Sequence, residues 1–181
     1  MATSQTIICD ITTPSLKTRS GLLNWLLRRP LPPTTVQEQI HSRVGSAKSW
    51  GAIVNCIGTA LYLSGENRND SYVSPYDAQK FLKRLKKLTT PVEGCLVEWR
   101  TTRNDEKGRP QTYSFHMGVI TQVHPFLLIT DRVGYRHAIL ENQNFVEVNS
   151  YWSEHYKDTP KPEVNYYLPR NLVVPENLLR I

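Results

Sequence analysis

At residues 89–94, TTPVEG, the hydrophobic rhythm of the chain changes. Upstream, apolar side chains recur roughly every three or four residues, the spacing that gives a helix one buried face. Downstream they alternate or run together between Gly, Pro and Asp turns, as strands do. The helices all precede the strands, and the strands follow one another as a meander, the first two joined by a polar hairpin loop. That order restricts the chain to an α+β fold built on an antiparallel sheet.

The helical half divides into three. Thr35 followed by Glu38 predicts a capped helix over 35–44. A second runs over 52–64, with Ile53, Ile57, Ala60 and Leu61 on one stripe and Gly65 as its stop. Ser74 and Pro75 open a third. It continues to 88, with Phe81, Leu82, Leu85 and Leu88 inward and Lys80, Lys83, Arg84, Lys86 and Lys87 outward. This basic helix face over 77–88 is a solvated surface or a site for an anionic partner. In the other half, 95–99, 113–123 and 126–131 read as strands. Segments 136–140, 145–148 and 164–168 add further ones, for a sheet of about five to six.

The domain is placed at 34–170. Residues 1–33 read as an extension: Leu22, Leu23, Trp25, Leu26 and Leu27 make a short apolar helix, and Pro30, Pro32 and Pro33 a stiff linker. Residues 171–181 form a tail. The first residues lack the basic start and continuous apolar core of a secretory signal. No apolar run approaches the ~20 residues of a membrane span. The expectation is a chain that is cytoplasmic, or exported by a signal-independent route. A net charge of +6 over 181 residues allows an anionic partner without assigning one, and nothing marks specific nucleic-acid recognition. Cys9, Cys56 and Cys95 are too few and too widely spaced for a disulfide framework or a CxxC metal pair. Neither a metal nor a cofactor is expected.

One cysteine sits where chemistry is available. In NCIGTALYLSG, 55–65, Asn55 and Cys56 open an apolar helix. A cysteine there is either a small core residue or a nucleophile, and the stretch by itself leaves both readings open. Unpaired backbone N–H groups and the macrodipole at a helix N-terminus favour negative charge, and the thiolate is the reactive form. A histidine completes such a site, and a third polar group orients the histidine. Of five histidines, His116 in YSFHMGVIT leads a β run and precedes Gly118, where a missing side chain allows close approach. Asp131 ends the next strand, and His137 in YRHAIL is its rival as the orienting group.

From about Gly45 to about Asp131 these motifs resemble the NlpC-type papain-like cysteine peptidases. In that family a Gly-x-x-Tyr-x-Trp-Gly lead-in precedes Asp-Cys-Ser-Gly at the start of the central helix. Here the matching stretch is GSAKSWGAIVNCIG, which puts Cys56 in the nucleophile's place and Trp50-Gly51 in the tryptophan-glycine place. VEGCLVEW matches the family's Pro-Gly-Asp-Leu-Val strand, and FHMGVI its His-Val-Gly-Ile strand. Lys48 stands for the lead-in tyrosine, Asn55 and Ile57 flank the cysteine in place of aspartate and serine, and Cys95 replaces the strand aspartate.

The resemblance implies a papain-like fold, with N-terminal helices and a nucleophile-bearing central helix packed on the sheet. It implies hydrolysis of an amide, of the peptidoglycan stem-peptide type, by Cys56, His116 and Asp131. Lys48, Trp50, Asn55 and Tyr62 are expected to face the substrate. Two alternatives stand beside it. One keeps the fold for acyl transfer, thioester cleavage or deamidation of a protein or lipid substrate. The other is a non-catalytic basic binding module.

Overall fold

The computed structural model describes residues 35–47, 54–133, 138–156 and 160–171. Among them the chain order is α1 (Val36–Ser46), α2 (Cys56–Leu63), α3 (Pro75–Leu82), β1 (Lys86–Leu88), β2 (Leu96–Asn104), β3 (Pro110–Gln122), β4 (Leu128–Arg132), β5 (Ile139–Asn144), α4 (Phe145–His155) and β6 (Glu163–Leu168). The strands form one six-stranded sheet in the order β1-β6-β2-β3-β4-β5. Every neighbouring pair is antiparallel. The class is therefore α+β. No described helix is long and apolar enough to cross a membrane.

The helix starts follow their side chains. Thr35 Oγ1 accepts from the Glu38 amide at 3.1 Å while Glu38 Oε2 accepts from the Thr35 amide at 3.0 Å, a reciprocal cap for α1. Asn55 Oδ1 accepts from the Gly58 amide to cap α2, and Ser74 Oγ accepts from the Asp77 amide to cap α3, with Pro75 at its first position. The other end of α2 is closed from outside: Arg43 of α1 donates to the carbonyls of Tyr62 and Leu63 at 3.0 and 3.2 Å. This satisfies acceptors that a helix C-terminus leaves bare.

Alternation along the strands feeds two cores. Leu96, Met117, Val119 and Tyr167 join Ile40, Ile57, Leu61 and Leu82 of α1, α2 and α3 in the first. Cys95, Val97, Trp99, Ile120 and Ile129 join Val148 and Trp152 of α4 in the second. Trp99 Nε1 donates to Asn149 Oδ1 at 2.9 Å, which fixes α4 against β2.

Three expectations need correction. The basic segment 77–88 is not one helix: α3 ends at Leu82, and Lys86–Leu88 is strand β1, paired with β6. Leu85 is still buried, because it closes the turn between them. The basic residues thus lie on a helix end, a turn and a strand rather than on one face. Two are also engaged, Lys80 with Asp77 at 3.6 Å and Lys87 with Glu163 at 3.8 Å. Second, 145–148 is not a strand but the first turn of α4, capped by Asn144 Oδ1 accepting from the Val146 amide. Third, the strand read at 136–140 begins, among described residues, at Ile139 and runs on to Asn144.

Candidate active site

Cys56 is the first residue of α2 and is partly exposed. The helix it opens is held at three points. Asn55, besides capping, accepts from the Val73 amide at 3.1 Å and donates to the Val73 carbonyl at 2.8 Å. Gly58 lets the 70–73 loop touch the helix: a Cβ there would fall 1.5 Å from Ser71 O. One turn past the cysteine, Thr59 Oγ1 donates to Asp70 Oδ1 at 2.8 Å and accepts from Arg132 Nε at 2.9 Å. Arg132 also pairs with Asp70 at 3.0 Å, both side chains almost wholly buried. This network ties α2 to the end of β4, where Asp131 precedes Arg132.

His116 enters from β3 through an irregularity in the sheet. Trp99 faces His116 but Arg100 faces Ser114, so Phe115 is an extra residue, a β-bulge. Regular strands send neighbouring side chains to opposite faces; a bulge re-aims them. Phe115 and His116 accordingly line the same cleft, together with Cys56, and Cys56 Sγ lies 3.8 Å from the Phe115 carbonyl.

The imidazole is 1% exposed. Its ring lies 4.3 Å from that of Trp152 and 5.3 Å from that of Trp99, centroid to centroid. Nε2 is 2.6 Å from Asp131 Oδ2, and Asp131 Oδ1 accepts a hydrogen bond from Gln143 Nε2. Asp131 is itself 1% exposed. Gly118, opposite Asp131 in the ladder, makes this approach possible: a Cβ there would lie 3.0 Å from Asp131 Cβ and 2.5 Å from Ile129 Cδ1. With Nε2 taken, Nδ1 is left buried without a hydrogen-bond partner. Burial alone would push the histidine's pKa down. Asp131 and the neighbouring Cys56 outweigh it and raise the pKa to about 9, so the ring is an imidazolium at neutral pH.

The cleft has a volume of about 230 Å³. Pro75 of α3, Phe115 and two residues of α4, Trp152 and Tyr156, form its walls. Tyr156 stacks on Phe115 with ring centroids 3.9 Å apart, and the Arg103 guanidinium lies over its other neighbourhood, 5.3 Å from the ring centre.

The other residues expected at the substrate divide differently. Asn55 lines the cleft, but its amide group is committed to the helix cap and to Val73. Tyr62 lies at the far end of α2, packed against the first core, and does not line the cleft. Lys48, Trp50 and His137 lie outside the described residues. Cys95 is fully buried, and burial pushes its thiol pKa up to about 12. Among the described residues, no group of three or more His, Cys, Asp or Glu side chains is placed to hold a metal ion.

Sequence reasoning missed Gln143, Trp152 and Tyr156. The second and third carried a signal: Phe145, Val148, Trp152 and Tyr156 recur at helical spacing in a segment read as strand and irregular tail. No family model matches the chain, and neither a curated protein nor a solved structure matches it.

Proposed function

We propose that this chain is a cysteine hydrolase of papain-like architecture that cleaves an amide bond through a thioester on Cys56. One observation carries the reading. A buried His116–Asp131 pair, whose second ring nitrogen Nδ1 has no hydrogen-bond partner, lines the cleft that holds Cys56 at a helix N-terminus. A buried polar atom without a partner is costly, and a catalytic role is one of the explanations such an atom calls for. The residue types and their order in the chain are those of the NlpC-type resemblance, which implies a peptidoglycan-type stem peptide as substrate.

An imidazolium beside a thiol stabilises the thiolate, the nucleophilic form. The Cys56 sulfur attacks the carbonyl carbon, forming a C–S bond and placing negative charge on oxygen. The Cys56 backbone N–H, at the start of α2, would receive that oxyanion; one such donor is typically worth ~3 kcal/mol in the transition state. The C–N bond breaks as His116 Nδ1 gives its proton to the departing amine, leaving a thioester. Neutral His116 then takes a proton from water, whose oxygen attacks the thioester carbonyl. The C–S bond breaks, and the acid and the thiolate–imidazolium pair are regenerated. Asp131, held by Gln143, keeps Nε2 protonated throughout, so that Nδ1 is the nitrogen that exchanges the proton.

The test is to incubate the protein with muropeptides and a panel of peptide amides, quench in acid and measure intact mass. A mass increment located on Cys56, absent in Cys56→Ala, is expected, together with release of a new amine. Amine release that persists at an equal rate in Cys56→Ala overturns the proposal.

A further inference from the structure

We propose that the catalytic cleft selects substrates whose acyl group is bulky and apolar, an aromatic or branched-aliphatic side chain or acyl chain, over acyl groups that carry a carboxylate. This rests on the reading of Cys56 as nucleophile. The acyl group stays bonded to Sγ through both half-reactions, so the space around Sγ is where it must fit. That space is walled by Pro75, Phe115, Trp152 and Tyr156, with Ile57 beside the sulfur. Among the described residues, the lining carries no charged side chain apart from His116 itself. Among the described residues a carboxylate there would lose its hydration and meet only the His116 imidazolium, which Asp131 already pairs, whereas an apolar group would replace water against aromatic faces.

The walls are fixed rather than adaptable. Trp152 is braced between His116 at 4.3 Å and Phe115 at 5.7 Å, and Tyr156 between Phe115 and Arg103. A volume near 230 Å³ is below the roughly 300 Å³ of sites that take drug-sized ligands. It suits one residue-sized group, not a chain of them. Full burial of a side chain of that size supports a preference of roughly tenfold to hundredfold. The amide substrates then narrow toward those with an apolar residue before the scissile bond.

The experiment compares p-nitrophenyl esters that share a leaving group and differ in the acyl group: acetyl, isovaleryl, phenylacetyl and succinyl. Rates are corrected with Cys56→Ala, and acylation of Cys56 is followed by intact mass. The expected result is a kcat/KM at least tenfold higher for phenylacetyl and isovaleryl than for acetyl, with succinyl below acetyl. Trp152→Ala and Tyr156→Ala should each bring the phenylacetyl-to-acetyl ratio to within threefold of one. Tyr156, at the end of α4, provides this readout even where loss of Trp152 disturbs His116. Equal rates across the series, a preference for succinyl, or an unchanged ratio in Tyr156→Ala overturns the inference while leaving the nucleophile in place. Acylation of Cys56 by none of the esters overturns the nucleophile reading, and this inference with it.

Discussion

Cys56 and Cys95 are the same side chain in two environments. Both follow a polar or turn residue and precede an apolar run, in NCIGTAL and GCLVEW. Cys95 enters the sheet beneath α4, among Val97, Ile120 and Ile129, fully buried, and burial raises its pKa to about 12. Cys56 opens a helix at the rim of the other core, partly exposed, in a cleft with an imidazolium. What separates them is what covers each sulfur: packed hydrocarbon in one case, a cleft with a cationic partner in the other. Local sequence carries little of that difference, because the histidine and its carboxylate arrive from strands much later in the chain.

The largest expected effect is therefore chemical selectivity. Iodoacetamide near pH 6 should alkylate Cys56 on the order of a thousandfold faster than Cys95, since the thiolate is the attacking species and buried thiols in apolar surroundings are inert. Peptide mapping after timed labelling measures it. In denaturant the two rates should converge. Equal labelling of both in the folded protein would sink the contrast and the proposed chemistry together.

Next is the pair that makes Cys56 different. Asp131→Asn removes the strongest group opposing the effect of burial on His116, so the ring loses its proton at lower pH. Alkylation and turnover should slow by about a hundredfold or more. The alkaline limb of the pH–rate profile, near 9 in the parent protein, should move down. Stability follows the same sign. The folded-state pKa of about 9 lies above the ordinary 6.5, so the contribution is complete below 6.5 and is lost as pH rises through 9. Its size is on the order of 3 kcal/mol. Thermal melts from pH 6 to 10 should show a steeper fall for the parent than for Asp131→Asn. An unmoved alkaline limb would separate His116 from the reaction.

These two halves of the site were unequally legible in the sequence. Cys56 was locatable because a capped apolar helix writes itself locally, in a cap residue, a period and a stop. YSFHMGVIT suggests a histidine leading a β run, whereas His116 lies midway along β3; it meets Asp131 because Gly118, two residues on, faces Asp131 near the end of β4. The bulge at Phe115 was not readable: nothing in YSFHMG says that Trp99 will face His116 while Arg100 faces Ser114. The run FLKRLKKL misled because Leu82, Leu85 and Leu88 keep a helical spacing through a turn and a short strand. Pairing with β6, about eighty residues later, decided its conformation against the local period. The same holds for Asn55. Its type suggested a polar contact for substrate, and its side chain is spent on Gly58 and Val73.

Gly118 tests whether the carboxylate must approach as closely as it does. Gly118→Ala would press a methyl group into Ile129 and Asp131, and neither can retreat from a packed sheet. Overpacking of that kind costs about 1–3 kcal/mol, read as a lower Tm. Because Asp131 is displaced, alkylation of Cys56 should slow by roughly tenfold as well. A variant that loses stability but labels at the parent rate would show that the His116–Asp131 contact is structural support only.

The smallest effect completes the contrast. Cys95→Ala deletes one buried sulfur and leaves a gap of about a methyl group among Val97, Ile120 and Ile129. The cost should be about 1–2 kcal/mol of stability, with the alkylation rate of Cys56 and any turnover unchanged. Cys56→Ala should do the reverse. The side chain is partly exposed, and its Sγ lies a long 3.8 Å from the Phe115 carbonyl, so Tm should move by less than about 1 kcal/mol's worth while reactivity disappears. Denaturant melts beside labelling rates for the two variants measure both quantities at once. If Cys95→Ala slowed the chemistry as much as Cys56→Ala did, the second core would be part of the reactive apparatus, and burial would no longer distinguish the two thiols.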